Sequence, residues 1–321
     1  MTTTLDLNRF MADFIEKATE AEAKGWDLEE LRRKQAYRSR STKRGRRTGA
    51  EMHAIRQAIY RLLAQDHPMT CRQIFYRLVS LGVIQKTEAE YKATVVRLLG
   101  AMRRDGHIPF GWIADSTRWM RKPQTFTNLE QALRRTLEHY RRALWDNQDV
   151  YVEVWLEKDA LAGVVVEVTR QWDVPLMVTR GYPSLTYLYE AAETIKAKRK
   201  PVYLYYLGDW DPSGVDISRT VEEGIRELAP SAEVYFERVA VTPEQIKDWS
   251  LPTRPTKQSD TRSHRFQGES VEVDAIPPST LRDLVEVCII KHINTDALEK
   301  LEVIEDSERE IFQRIVAEVT S

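Results

Sequence analysis

The sequence predicts a two-domain chain of the α+β class, in which a compact helical unit is followed by an α/β unit with a parallel central sheet. Two observations carry this. Over 51–146 the apolar residues recur at helical spacing. From residue 149 onward, short runs rich in Val and aromatics alternate with helical stretches, the pattern that produces parallel strands joined by right-handed crossovers. With 321 residues, 42% hydrophobic and 30% charged, the chain has material for two cores and too much charge for a membrane protein. No apolar run approaches the roughly 20 residues that span a bilayer. The start, MTTTLDLNRFMADF, lacks the basic and apolar regions of a secretory signal, so a cytoplasmic location is expected. Cys71 and Cys288 sit in apolar helical patterns without a CxxC neighbour and read as buried free thiols.

The expected boundaries are 1–50, 51–146 and 147–321. In the first stretch Leu7, Phe10, Met11, Phe14, Ile15 and Ala18 mark a helix over 5–35. It leads into the run RRKQAYRSRSTKRGRR, from Arg32 to Arg47, which is either a solvated segment or a phosphate contact. Met52, Ile55, Ile59, Leu62 and Leu63 predict a helix that His67-Pro68-Met69 ends. Thr70-Cys71-Arg72-Gln73 has the form of a capping box and opens a second helix through Ile74, Phe75, Leu78 and Leu81 to Gly82. Thr87-Glu88-Ala89-Glu90 opens a third, through Tyr91, Val95, Leu98, Leu99 and Met102, closed by Gly106. HIPFGWIAD then reads as short strands and a turn. Helix, helix, basic helix and β ribbon is the order of a winged helix-turn-helix, whose third helix enters the major groove of DNA; here it carries Arg97, Arg103 and Arg104. A fourth helix is expected from Thr127 to Leu144, with Arg134, Arg135, Arg141 and Arg142 on one face, solvated or facing DNA. In ADSTRW, Asp115 and Arg118 read as a structural pair.

In the second unit DVYVEVWL, VPLMVTR, PVYLYYLGD and AEVYFERVAV read as strands, with helices over ALAGVVVEVTRQW, SLTYLYEAAETIKAK and SGVDISRTVEEGIREL. TPEQIKDWSLPTRPTKQSDTRSHRFQG reads as a long loop in which Lys257, Asp260 and Arg262 receive no role. ESVEVDAI reads as a further strand, PPSTLRDLVEVCIIKHI as a helix begun by Pro, and roughly 295–318 as the last helix. In such sheets sites form beyond the carboxyl ends of the strands. The first strand ends in Trp155-Leu156-Glu157-Lys158 and the third in Gly208-Asp209-Trp210-Asp211-Pro212-Ser213-Gly214. Asp209 and Asp211, two apart, point the same way in extended backbone, and three hard oxygen ligands suit Mg²⁺. The competing explanation, a strand-end acid that caps the next helix, suits any one of them taken singly. Lys158 either touches phosphate or faces solvent, and Arg180 sits at another strand end. The six histidines show no metal-ligand spacing. In the second helix Arg72, Gln73, Tyr76 and Ser80 share one face, so Tyr76 points away from the local core with Arg72 one turn away.

A strand ending in Glu followed by one ending in DxD resembles the Toprim signature. LEKDAL, RGYPSLT, LGDWDPSGVDI and VEVDAIPPSTLRDLVE resemble the Toprim half of the A-type, DNA-cleaving component of topoisomerase VI and its meiotic double-strand-break relatives, and CRQIFYRLV resembles the tyrosine motif of that family's winged-helix domain. The likeness covers roughly residues 55–295. It implies a CAP-like winged helix before a Rossmann-like Toprim domain, with Glu157, Asp209 and Asp211 holding Mg²⁺ and Tyr76, supported by Arg72, attacking double-stranded DNA to give a 5′-phosphotyrosyl link. Arg97, Arg103, Arg104, Lys158 and Arg180 would line the DNA. In that family the tyrosine of one protomer meets the metal site of the other, which implies a homodimer. Strand passage would need a separate ATPase component of the B type. The alternatives are a Toprim nuclease that uses water, as in plasmid or phage defence, and a DNA-binding module without catalysis.

Overall fold

A computed structural model describes residues 47–114, 123–255, 266 and 268–320. The helix expected over 5–35, the basic run short of Arg47, Asp115 and Arg118, and Lys257, Asp260 and Arg262 lie outside the described residues. Helix α1 (Gly49–Gln65) buries Ile55, Ile59, Leu62 and Leu63, the stripe its spacing predicts. Helix α2 (Cys71–Ser80) begins at the expected capping box: the Thr70 hydroxyl accepts from the Gln73 N–H and the Gln73 side chain returns to the Thr70 N–H. Helix α3 is an α-turn, Glu88–Glu90, a π segment, Tyr91–Val96, and an α-helical segment, Arg97–Arg104. Thr87 caps it, but the reciprocal half of the expected box is not made. Glu90 is buried and its carboxylate instead accepts two bonds from Arg47, at 2.8 and 2.9 Å. The expected β ribbon is absent among the described residues: Phe110–Trp112 forms a 3-10 turn, and one isolated parallel bridge joins Met69 to Ile113. Ile108 and Ile113, on either side of this turn, are buried, while Phe110 within it is exposed.

Helix α4 (Leu129–His139) starts one residue later than expected, with Asn128 as its cap, and stops before Tyr140. Arg141 and Arg142 therefore leave the helix. Arg141 donates to the carbonyls of Arg170 and Gln171, Arg142 pairs with Glu308 at 2.7 Å, and no basic stripe runs along the element.

The α/β part follows the sequence closely. Strands β1 (Tyr151–Leu156), β2 (Leu176–Val178), β3 (Val202–Leu207) and β4 (Val234–Ala240) form one sheet in the order β2-β1-β3-β4, every pair parallel. Helices α5 (Ala162–Gln171), α6 (Leu185–Lys198) and α7 (Pro212–Leu228) make the crossovers. Because β1 to β2 steps one way across the sheet and the later connections step the other, right-handed crossovers put α5 on one face and α6 with α7 on the opposite face. α6 packs on α7, and α9 (Pro278–Ile290) packs on α5. All six residues of β1 are buried, as a strand covered on both faces requires. The polar stretch after β4 holds a short helix, α8 (Pro243–Asp248), begun by a Thr242/Gln245 capping box. ESVEVDAI is not a strand. Ser270 and Val271 make single antiparallel bridges to Arg254 and Trp210, and Val273–Ala275 is a 3-10 turn. Helix α10 (Thr295–Thr320) closes the chain against α4. Neither cysteine forms a disulfide; Cys288 is buried and Cys71 only partly so. No described helix is long and apolar enough to cross a membrane.

Candidate active site

The sheet order reverses between β1 and β3, so a crevice opens where the chain leaves these strands in opposite directions. Glu157 follows β1 directly. Its N–H donates to the Leu207 carbonyl at 2.9 Å, which extends the ladder by one residue and sets Glu157 beside Gly208. The Asp209 N–H then donates to Glu157 Oε2 at 3.0 Å. A Cβ on Gly208 would stand 2.5 Å from that same oxygen, so only glycine lets the carboxylate lie across the β3 exit. The Asp209 carboxylate is buried and accepts from the Val273 N–H at 2.9 Å, while Arg238 donates to the Asp209 carbonyl at 2.7 Å.

Asp211 is the N-cap of α7: one oxygen accepts from the Gly214 N–H at 2.8 Å and the other pairs with Arg254 at 3.1 Å. Pro212 begins the helix immediately, while Asp211 itself is still extended, with φ −150° and ψ 172°. Glu157 and Asp209 thus converge, and Asp211 adjoins them as a helix cap. Among the described residues no three His, Cys, Asp or Glu side chains are gathered to hold a metal ion.

Lys158 is drawn into a cluster of acids. Its ammonium lies 2.9 Å from Asp209 Oδ1, 2.9 Å from Asp274 Oδ2 and 3.3 Å from Glu272 Oε2. Burial works against that charge, but Asp274, Asp209 and Glu272 outweigh it and hold the lysine firmly protonated. Glu272 also pairs with Arg254 at 2.8 Å and stands 3.6 Å from Arg72. Burial raises its carboxyl, yet Lys158, Arg72 and Arg254 together hold it below the ordinary value. Glu272, Asp274 and Arg254 were not singled out from the sequence. The alternation of ESVEVDAI imitates a strand, which hides two acids that the backbone turns toward the crevice.

For Glu157 the opposing pull of the Asp209 N–H and of Lys158 is too weak to prevail. Burial, then the charge of Asp209, pushes its carboxyl up to about 7, and Asp211 adds to the effect. Burial likewise raises Asp209, against the opposing pull of Lys158. Excess negative charge on oxygen donors is a chemistry that a hard divalent cation would relieve. Mg²⁺ commonly takes one or two carboxylates and keeps its waters; Glu157 and Asp209 are the residues that would hold such an ion, although Asp209 Oδ1 already accepts from Lys158 and the Val273 N–H.

Tyr76 is 3% exposed. It belongs to the buried core, edge-on to Phe75 at 5.3 Å, so it does not point away from the local core as its spacing predicts, and α2 packs on the 3-10 turn Val273–Ala275. Thr70 donates to Asp274 Oδ1 at 3.0 Å and Gln73 to the Ile276 carbonyl at 3.4 Å, which fastens α2 to the crevice wall of the same chain. Burial, then Glu272, raises the Tyr76 phenol well above its usual range, while Arg72, Arg254 and Lys158 pull it down. Arg72 reaches Glu88 at 3.2 Å and lies over the Tyr91 ring at 4.1 Å.

On α3, Arg97 and Arg104 are exposed and seven residues apart on one face, whereas Arg103 is turned aside over the exposed Phe110 ring, 5.5 Å away. Arg180 lies at the β2 end with φ 55°, paired with Asp159 at 3.0 Å on the crevice rim. Neither a protein-family model nor a curated protein matches the chain.

Proposed function

We propose that this chain cleaves the phosphodiester backbone of double-stranded DNA in a Mg²⁺-dependent reaction, as a winged-helix and Toprim protein resembling the DNA-cleaving component of topoisomerase VI, with Tyr76 as nucleophile. One observation carries the reading: the strand-end acids Glu157 and Asp209 meet at the switch point of the sheet, and α2 presents Tyr76 to the charge network that surrounds them. Mg²⁺ held by Glu157 and Asp209 would neutralise charge on the scissile phosphate. The Tyr76 oxygen would form a bond to phosphorus as the bond to the 3′ oxygen breaks, leaving a 5′-phosphotyrosyl link and a 3′ hydroxyl. Arg72, one turn away, would bind the phosphate once Glu88 and Glu272 release it. Lys158 holds the Asp209 carboxylate in place from the side. A homodimer would cut both strands, and an ATPase component of the B type would be needed for strand passage.

The burial of Tyr76 favours a second reading, in which water is the nucleophile and the protein is a Toprim nuclease. Supercoiled plasmid incubated with Mg²⁺ or Mn²⁺, quenched with detergent and run with and without proteinase separates the two. Protein-linked 5′ ends that disappear in Tyr76→Phe support transesterification. Cutting that survives Tyr76→Phe, with free ends, supports hydrolysis. DNA binding without metal-dependent cutting in any arm would leave a non-catalytic DNA-binding module and sink both.

A further inference from the structure

Helix α10 carries an apolar stripe that the rest of the described chain does not cover. Ile304, Ile311 and Ile315 are 42%, 48% and 47% exposed, and Val319 is 50% exposed. At about 100° per residue the three isoleucines fall within roughly 40° of one another, with Val319 on the next strip, and the line runs for about 22 Å. The adjoining face of α10 buries Leu301 and Val316 and packs on α4. That contact does little for α4, which buries no residue of its own and leaves Leu129 exposed. Two helices joined in this way form half of a bundle core.

We propose that this stripe is the contact between two copies of the chain, with α10 packed antiparallel on α10 about a two-fold axis. Acidic residues outnumber basic ones along α10, so a phosphate backbone or an anionic membrane would be repelled, and an apolar protein surface fits. The charges beside the stripe are complementary to themselves. Lys300 and Glu318 lie on the same flank at opposite ends of the helix. An antiparallel pair that sets Ile304 against Ile315 of the other copy brings Lys300 to within a turn of Glu318 twice over, as an isologous interface requires. Glu308, which interrupts the stripe, is already satisfied by the Tyr140 hydroxyl and Arg142 and is not left as a bare charge in the contact. The contact is a property of α10 and α4 and stands independently of the chemistry in the crevice.

Sedimentation equilibrium of the full chain tests this. The wild type is expected to be a dimer at micromolar concentration. Ile311→Glu with Ile315→Glu should give a monomer with unchanged far-ultraviolet circular dichroism. Lys300→Glu and Glu318→Lys should each weaken the dimer roughly tenfold, since each alters two symmetric pairs, and the double exchange should restore it. A monomer at every concentration overturns the proposal, as does a dimer that ignores Ile311→Glu with Ile315→Glu. So does a full chain that dimerises only after residues 1–46 are removed, which would make that segment the occupant.

Discussion

Glu153 is nearly as exceptional as the crevice acids and lies away from them. It sits in the middle of β1, 1% exposed, with one oxygen accepting from Trp155 Nε1 at 2.9 Å, and burial pushes its carboxyl up to about 7. A carboxyl raised in the folded state binds its proton more tightly there than in the unfolded chain. Its contribution to stability is therefore fully present below the unfolded value and is lost as pH rises through about 7. Glu153→Gln should leave stability near pH 4 almost unchanged and raise it at pH 8 by on the order of 3 kcal/mol. Urea unfolding at the two pH values would show this; equal effects at both would mean that the buried carboxyl is compensated by other groups. The site acids were legible at the same scale because strand-end carboxylates follow from the alternation of β1 and β3 with helices. The capping role of Asp211 is open in the sequence, since the residue types that make a metal ligand also make an N-cap, and the start of α7 at Pro212 shows the cap.

At the scale of elements, short polar signals read true where their partners are local. The Thr70 box closes within four residues and needs nothing else, whereas the equally local Thr242 box is hidden in a polar stretch that reads as a loop. The Thr87 box fails in its second half because a distant group, Arg47, competes for Glu90. The turn over Val273–Ala275 was illegible for the same reason. Its conformation is set by what it binds, with the Val273 N–H on Asp209, Asp274 on Thr70 and Lys158, and Glu272 on three cations. Two caps of the same residue type measure how much this docking contributes. Thr70 is buried and donates to Asp274 besides capping α2, whereas Thr87 is exposed and only caps. Thr87→Ala should cost about 1 kcal/mol and Thr70→Ala about 2–3 kcal/mol, because the latter also strands a buried acceptor. Similar values for the two variants in thermal unfolding would show that the Thr70–Asp274 bond adds nothing.

Taken whole, the molecule joins its helical unit to its α/β unit through specific polar ties. Asp66 accepts from Arg282 at 2.5 Å and from the Ser279 N–H at 3.1 Å, and Lys86 donates to the Pro252 carbonyl at 2.8 Å. Arg97 and Arg104 on α3 remain exposed in this arrangement. If DNA lies there, Arg97→Ala and Arg104→Ala should each lower affinity evenly across sequences and reduce the slope of log affinity against log salt by about one, while Arg103→Ala, its side chain turned over Phe110, should change the slope less. Fluorescence anisotropy with a labelled duplex at several salt concentrations reads all three. Equal slopes for wild type and Arg97→Ala would move the DNA to another face. The parallel sheet was readable from alternation alone, because the βαβ pattern repeats locally, but the strand order that puts a switch point between β1 and β3 was not. The packing of α2 on the crevice wall, between residues such as Thr70 and Asp274, which are 204 positions apart, leaves no periodic trace.

That separation has a consequence during synthesis. Glu157 and Asp209 are both made and paired well before Asp274, the counter-charge of Lys158, leaves the ribosome, and the Val273 N–H that steadies Asp209 emerges in the same late stretch. A nascent chain halted before that turn would carry the acid pair without its clamp and Tyr76 without its cover.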